Sequence, residues 1–259
     1  MEADAQVGDK KTLSSYERGK AIQEISLFGE SVKLRTDDYV GEGGCVWSAG
    51  TRLSQFLTET GISLQDRNVL ELGSGTGALA IALGLHGARV VATDVPWVLP
   101  LLQENVEKNS HQFQRESQVV VKELNWDQVE NFDLSNLTVI DYVIACECIY
   151  SLEEGGLAET FGFKTDATTE RLLKLPWAAS DVKSQTILVL CGKGKQLLIV
   201  NRIRSSNNLE RQFVLQLSLH FNLECMIDTG KTMSRFNITS LEDIELSKGS
   251  ILFVHGCRI

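Results

Sequence analysis

Apolar residues recur along the chain at two different spacings, and the alternation of these spacings predicts an α/β fold. Within residues 48–60, leucine and phenylalanine recur at the spacing of a helix face. Residues 69–72 and 90–94 are short apolar runs on either side of an apolar helical stretch at 78–86. Such runs are typical of strands buried on both faces, and a strand–helix–strand unit of this length predicts a parallel pair.

The same two spacings extend over most of the chain. Residues 22–28 and 32–35 flank Gly29 and Glu30 and predict a β-hairpin. Further strands are predicted at 118–123, 141–146, 197–200, 223–227 and 251–257, and further helices at 97–109, 186–191 and 208–221. This alternation predicts a doubly wound, mostly parallel, seven-stranded Rossmann-like sheet, with the hairpin as an N-terminal extension.

The chain is predicted to form one domain after a flexible start. Residues 1–20 are polar and contain few large apolar groups, so we expect them to be flexible and to lack a signal peptide. Residues 21–259 then form a single domain, with the hairpin at 22–36 and the core at 46–259. Inside that core, residues 151–180 show no strand period and are predicted to be a variable loop.

Charge and cysteine content narrow the expected partners and compartment. The net charge is -9, so the clustered cations that bind nucleic-acid phosphates are not expected, and a basic protein surface is the favoured partner. The six cysteines show no CxxC metal spacing and are too sparse for a disulfide framework. No apolar run approaches the roughly 20 residues of a membrane span. We therefore expect a metal-free, cytoplasmic or nuclear protein, monomeric and independent of membranes.

The motif Glu71-Leu72-Gly73-Ser74-Gly75-Thr76-Gly77 joins a predicted strand to a predicted helix. Glycines permit a sharp turn and let a ligand approach the backbone closely, and the helix that follows offers free N–H groups at its start. Asp94 ends the next predicted strand, where a carboxylate can accept hydrogen bonds from both ribose hydroxyls of an adenosine. Together these features predict a cofactor that contains adenosine.

Two classes of cofactor compete for this motif. Gly73 and Gly75 with Ala78 satisfy the relaxed G-x-G-x-x-G/A pattern of dinucleotide-binding proteins. Glu71 with Gly73, Gly75 and Gly77 instead resembles the E/D-x-G-x-G-x-G signature of S-adenosylmethionine enzymes. An acid beside the turn suits an ammonium and a sulfonium, and it suits a pyrophosphate poorly. S-adenosylmethionine is therefore favoured, and an NAD-dependent oxidoreductase is the less favoured alternative.

Further motifs follow in order and resemble a known family. Val46-Trp47 precedes the first core strand, Leu124-Asn125-Trp126 follows the third, and Glu147-Cys148-Ile149-Tyr150 follows the fourth. The series resembles the small protein-lysine methyltransferases of the seven-strand class, called methyltransferase family 16, of the methyltransferase-like 21 type. Their signature after strand four is (D/E)-x-x-Y, in which Asp is the commoner acid. The resemblance runs from about Ile22 to the C-terminus, although residues 151–180 look longer than usual.

The resemblance implies a binding role for each matching position. The implied cofactor contacts are Trp47 beside the methionine end, Glu71 beside the turn, Gly73, Ser74 and Gly75 under the cofactor, Gly77 completing the turn, Asp94 on the ribose, Trp126 near the adenine and the backbone of Cys146 along the pocket. Taken alone, Trp47 and Trp126 are equally compatible with ordinary core aromatics. Cys146 and Cys148 are favoured as small buried groups over nucleophiles.

Glu147 and Tyr150 are the predicted catalytic residues, and the predicted reaction is methyl transfer to a lysine side chain of a protein. A lysine with a pKa of about 10.4 is neutral in only about one molecule in 2,500 at pH 7, which costs roughly 4.6 kcal/mol. Desolvation lowers that pKa, whereas a nearby acid raises it. We therefore interpret Glu147 as a group that positions the ammonium and Tyr150 as a wall or hydrogen-bond partner. No general base is evident.

Other activities on the same fold remain open at this point. A small-molecule methyltransferase would share the cofactor half of the site. A nucleic-acid base methyltransferase would normally carry an Asn/Asp-Pro-Pro-Tyr/Phe run after strand four, and the motif from Glu147 to Tyr150 has no proline. A binding module without activity would keep the fold and transfer no methyl group. The substrate protein, its lysine and the degree of methylation are not specified by the sequence.

Overall fold

A computed structural model describes residues 20–114, 118–133, 140–149, 187, 190–203, 209–230, 232–236 and 249–259. Its strands form two sheets, a two-stranded hairpin and an eight-stranded sheet. Three expectations fall outside the described residues: the flexible start, apart from Lys20, the position of Tyr150, and the variable loop at 151–180.

The strands and helices follow the order that the apolar pattern predicts. The strands are β1 (Lys20–Leu27), β2 (Glu30–Asp37), β3 (Asn68–Leu72), β4 (Arg89–Asp94), β5 (Gln118–Glu123), β6 (Tyr142–Cys146), β7 (Gln196–Arg202), β8 (Phe221–Asp228), β9 (Met233–Phe236) and β10 (Ile251–Arg258). The helices with described bounds are α1 (Ala49–Thr60), α2 (Ala78–Leu85), α3 (Leu99–Asn109) and α4 (Leu209–Ser218). Ile187 and Leu190 are also helical, as the predicted helix at 186–191 requires.

The large sheet has the strand order β5-β4-β3-β6-β7-β10-β8-β9. Strands β3 to β7 are parallel to one another, and β10 lies antiparallel between β7 and β8. This arrangement confirms the doubly wound, mostly parallel fold. The strand order reverses between β3 and β6, and ligands bind at the carboxyl ends of the strands at such a switch point.

The described sheet differs from the predicted seven strands by one addition, the edge strand β9. It pairs antiparallel with β8 and covers only four residues, Met233–Phe236. A strand this short and this exposed carries no apolar run, so the pattern of apolar residues gave no signal for it.

Helix α2 is apolar on nearly every side, and seven of its eight residues are buried. A helix of this kind is stable only inside a core, and α2 packs between the large sheet and the hairpin. Gly84 permits close contact with β5, because a Cβ there would lie 2.6 Å from a methyl group of Val119. The core therefore fixes α2, and with it the turn that leads into the helix.

Two buried asparagines of α3 attach the hairpin to the core. The Oδ1 atom of Asn105 accepts a hydrogen bond from the Arg35 N–H (2.7 Å), and its Nδ2 donates to the Arg35 carbonyl (2.9 Å). One turn later, Asn109 makes the same pair of bonds with Lys33 (3.1 and 2.8 Å). An amide side chain offers the same donor and acceptor as a peptide group, so these residues pair with the edge of β2 as a strand would. Asn105 also donates to the Thr76 carbonyl (2.9 Å) and so connects the hairpin to the glycine-containing turn.

Replacing Asn105 with leucine tests this attachment. The change keeps the side-chain volume roughly constant but leaves backbone groups of Arg35 and Thr76 buried without their partner. Each such group costs about 1–3 kcal/mol, so the free energy of unfolding in urea should fall by about 3 kcal/mol or more. Amide hydrogen exchange in β2 should accelerate. The matched change Gln103→Ala, on the exposed face of α3, should alter stability by less than about 0.5 kcal/mol. Unchanged exchange in β2 would mean that other contacts hold the hairpin.

Candidate active site

The carboxyl ends of the parallel strands bring the described candidate residues to one edge of the sheet. β3 ends at Leu72 before Gly73, β4 ends at Asp94, β5 ends at Glu123 before Trp126, and β6 ends at Cys146 before Glu147. These residues are far apart in sequence, and the parallel pairing of their strands is what gathers them.

The turn between β3 and α2 requires glycine at three positions. Gly73, Gly75 and Gly77 have φ angles of 66°, 54° and 82°, in the left-handed region that side chains disfavour. Close packing adds a second reason. A Cβ on Gly75 would lie 3.1 Å from the Gly43 carbonyl oxygen, and a Cβ on Gly77 would lie 2.5 Å from a methyl group of Leu102. The predicted turn is therefore present, and its backbone packs closely against Gly43 and Leu102.

Ser74 and Thr93 fasten this turn to the end of β4. The Ser74 N–H donates to the Thr93 carbonyl (2.9 Å), and the Thr93 N–H donates to the Ser74 hydroxyl (3.1 Å). The Thr93 hydroxyl donates in turn to the Glu71 carbonyl (2.6 Å). These bonds hold the turn against the strand that ends in Asp94. The contact of Ser74 with a cofactor stays a prediction.

Both carboxylate oxygens of Asp94 accept backbone hydrogen bonds. Oδ2 accepts from the Gly75 N–H and Oδ1 from the Val95 N–H, each at 2.8 Å. Burial raises the pKa of the Asp94 carboxyl above its ordinary value, and the two N–H groups oppose that rise. Each oxygen keeps further lone-pair capacity, so the carboxylate can also accept hydrogen bonds from two sugar hydroxyls.

Glu71 is a second acid at the turn, and it is almost fully buried. The pKa of its carboxyl is raised to about 7, mainly by burial and further by the charge of Asp94. A hydrogen bond from Ser74 opposes this rise. Its Oε2 atom is buried and makes no hydrogen bond. Two acids at one turn, one with an unsatisfied oxygen, favour a cationic ligand over an anionic one. An ammonium and a sulfonium fit this turn, and a pyrophosphate does not.

Trp126 and Cys148 lie against Gly73 on the other side of the turn. A Cβ on Gly73 would lie 3.2 Å from the Trp126 ring and 3.1 Å from the Cys148 sulfur. Trp126 therefore borders the turn, and its contact with the adenine stays a prediction. The buried Cys148 thiol lies 3.2 Å from the Leu72 carbonyl, and burial raises its pKa far above the ordinary range. This thiol is a small buried group and not a nucleophile.

Trp47 lies shortly before α1, and its contact with a cofactor stays a prediction. Its side chain is 40% exposed and its Nε1–H donates to the Glu42 carbonyl (3.0 Å), so it is not a core aromatic. The short 3-10 segment before it, Asp38–Gly44, contains Gly43, whose carbonyl approaches Gly75. The sequence pattern predicted no role for Gly43. The glycine-rich run at residues 41–44 was the feature that could have indicated a close backbone contact there.

Glu147 directly follows β6 and is buried in an unusual backbone conformation. Its φ is 58°, in the left-handed region, and its N–H donates to the Val200 carbonyl on β7 (2.8 Å). Its Oε2 accepts from the Arg202 N–H at 3.3 Å. Strained residues of this kind are common at functional sites. They persist only where the surrounding structure holds them in place. Cys146, one residue earlier, is half-buried at the strand end, and its contact with a cofactor stays a prediction.

The fold resembles that of solved methyltransferases. The 16S rRNA N2 G1207 methyltransferase RsmC of T. thermophilus, solved in complex with AdoMet and guanosine, superposes with a TM-score of 0.56 at 16% sequence identity. The match covers 93% of this chain and 51% of that chain. This likeness shows a Rossmann-like fold of the kind that solved methyltransferases adopt.

Relatives in sequence narrow the class. The protein N-lysine methyltransferase METTL21A of Mus musculus is 29% identical over 223 residues, which are 83% of this chain and 89% of that protein. The protein-lysine methyltransferase METTL21E of Bos taurus is 37% identical over 151 residues, 54% of this chain and 49% of that protein. The family model described as lysine methyltransferase matches residues 28–158, half of the chain. The chain belongs to this lysine methyltransferase family, and its cofactor is S-adenosylmethionine.

Replacing Asp94 with asparagine tests the cofactor geometry. One oxygen becomes an NH₂ group, which cannot accept a hydrogen bond from the backbone N–H that faces it or from a sugar hydroxyl. Loss of a hydrogen bond to a charged group costs about 1.5–3 kcal/mol, so calorimetry should give an S-adenosylmethionine Kd roughly 10- to 100-fold higher. The matched change Asp66→Asn, exposed at the opposite edge of the sheet before β3, should leave the Kd unchanged. Equal affinities for both variants would remove Asp94 from the cofactor site.

The raised pKa of Glu71 predicts how stability depends on pH without cofactor. The folded state holds this proton more tightly than the unfolded chain, whose carboxyl has its ordinary pKa of 4.5. The stabilisation is therefore complete below pH 4.5 and is lost as the pH rises through about 7, a change of roughly 3 kcal/mol. Urea unfolding of Glu71→Gln should show a gain over the wild type that grows from pH 5 to pH 8. A difference that does not vary with pH would contradict this assignment.

Proposed function

We propose that this protein transfers the methyl group of S-adenosylmethionine to the side-chain amine of a lysine in a protein substrate, and that the lysine enters beside Glu147. The observation that carries the proposal is the place of this acid. Glu147 directly follows β6, which pairs with β3, and its neighbour Cys148 lies against Gly73 of the cofactor turn. A carboxylate one strand away from the cofactor turn is suited to receive an ammonium group.

The chemistry of the strand-end motif favours an aliphatic amine over other acceptors. Glu147 offers negative charge for a lysine ammonium, whereas the proline-containing motif of base methyltransferases is absent after β6. The relatives described as protein-lysine methyltransferases support the same acceptor. Tyr150 completes the (D/E)-x-x-Y motif and is proposed as the wall or hydrogen-bond partner of the amine, although its structure lies outside the described residues.

In the proposed reaction the residues of the chain orient the amine and hold it out of water. When bound, S-adenosylmethionine supplies an electrophilic methyl carbon on a sulfonium. The Glu147 carboxylate draws the lysine ammonium to the edge of β6, and the proton leaves to water before transfer. S-adenosylmethionine held beside Asp94 would supply its methyl group to the neutral amine, with its sulfur as the leaving group. Alignment of the two reactants is the main contribution asked of the protein.

The proposal extends to the setting of the enzyme. We infer a monomer in the cytoplasm or nucleus that acts on proteins and not on nucleic acids. Support comes from the six cysteines, none of which forms a disulfide, as expected in a reducing compartment, and from the net charge of -9, which opposes binding to phosphates. Within the described part of the chain, no helix is long and apolar enough to cross a membrane.

The test is transfer of label from methyl-tritiated S-adenosylmethionine to a cell lysate. The wild-type protein should label a protein band, and acid hydrolysis of that band should release methyl-lysine. Glu147→Ala should reduce labelling at least 100-fold, while its cofactor Kd, measured by calorimetry, stays within about 3-fold, because the acid positions the amine and not the cofactor. Glu107→Gln, exposed on α3, serves as the matched control with full activity.

Two results would overturn the proposal. Label recovered only in small molecules or nucleic acid would replace the protein substrate with one of those classes. Full labelling of lysine by Glu147→Ala would keep the reaction but remove this acid from it.

A further inference from the structure

Asn201 on β7 is a fully buried polar residue that the proposed chemistry does not use. Its side-chain amide makes three hydrogen bonds. Oδ1 accepts from the Ile149 N–H (2.9 Å), and Nδ2 donates to the carbonyls of Ile149 (2.7 Å) and Arg202 (3.0 Å). These three hydrogen bonds go to Ile149, in the segment after β6, and to Arg202, at the end of β7.

These bonds continue the sheet beyond the point where backbone pairing stops. The parallel ladder between β6 and β7 ends with the pair Cys146 and Val200. Asn201 follows Val200 and holds both backbone groups of Ile149, three residues after Cys146. An amide side chain can replace a peptide group in this way. The motif that begins at Glu147 is thereby held to β7 after regular pairing has ended.

Glu147 needs such support because its backbone is strained. A non-glycine residue with φ of 58° persists only where neighbouring contacts hold it there. Contacts on both sides do so: the Glu147 N–H binds the Val200 carbonyl, and Asn201 fixes Ile149 two residues later. Arg202 completes the connection, because its N–H donates to the Glu147 carboxylate while its carbonyl accepts from Asn201.

We propose that Asn201 is a positioning residue for methyl transfer, which aims the Glu147 carboxylate at the substrate amine by clamping Ile149 and Arg202. This inference rests on the proposed function of Glu147. Asn201 touches neither reactant and acts through the backbone. Its removal should let the segment after β6 relax, and a misplacement of about 1 Å at a reacting group can cost on the order of 100-fold in rate.

The experiment compares Asn201→Ala with a matched control, Asn109→Ala. Asn109 is equally buried and also bridges the N–H and carbonyl of a single residue, Lys33, but far from the strand-end motif. Both variants should lose stability. The substrate is the unmethylated form of the protein that the labelling experiment identifies. In single-turnover assays with saturating cofactor, only Asn201→Ala should lower the rate of methyl transfer, by about 10- to 100-fold. Both cofactor affinities should stay within about 2-fold.

A double-mutant cycle separates positioning from a general loss of structure. In the Glu147→Ala background, Asn201→Ala should cost less than about 3-fold further, because its effect passes through that acid. A full additional loss in that background, or an unchanged rate for Asn201→Ala alone, would overturn the proposal. If Asn201→Ala does not fold, Asn201→Thr, which suits a strand and keeps a small polar group, takes its place.

A measurement independent of activity completes the test. Hydrogen exchange of the Ile149 amide should accelerate in the Asn201 variant and stay slow in Asn109→Ala, and equal exchange in all proteins would count against the clamp. A wild-type protein that labels no lysine would overturn the proposed function. Normal labelling by both wild type and Asn201→Ala would overturn only the positioning role.

Discussion

The parallel pairing of the strands gathers the site residues at one edge of the sheet, and the turn between β3 and α2 shapes the part of that edge beside Asp94. Gly73, Gly75 and Gly77 hold the backbone in a left-handed conformation that other residues disfavour. The turn lies beside the strand that ends in Asp94, whose carboxylate accepts a hydrogen bond from the Gly75 N–H. Because α2 is apolar on nearly all sides, its position is set by core packing and not by a ligand. The cofactor side of the site is therefore built into the fold itself.

Buried side-chain amides pair with backbone groups at two places where regular strand pairing ends. Asn105 and Asn109 pair with the edge of the hairpin, and Asn201 pairs with the segment after β6. Buried peptide groups must find partners, and an amide side chain supplies both a donor and an acceptor without requiring another strand. The same device thus serves stability at the hairpin and, in our proposal, reaction geometry beside Glu147.

Acids accumulate at this edge, and their charge suits the reaction. Glu71 and Asp94 border the cofactor turn, and Glu147 directly follows the neighbouring strand β6. S-adenosylmethionine and a lysine ammonium are both cationic and repel each other in a site of low dielectric. Carboxylates on either side offset that repulsion while the substrate enters. The transfer step itself still needs a neutral amine, so the same acids delay loss of the proton.

The sequence by itself determined the strand–turn–helix unit, its glycines, Asp94 and the acid after β6, because these depend on local backbone conformation and on the order of short motifs. It did not predict β9, a strand of four residues that pairs along β8. Nor did it predict that Gly43 approaches Gly75, or that Asn201 clamps Ile149, 52 residues away. Such contacts depend on which strands become neighbours, and only the tertiary structure decides that, because no local pattern of apolar residues records the partner of a distant backbone group.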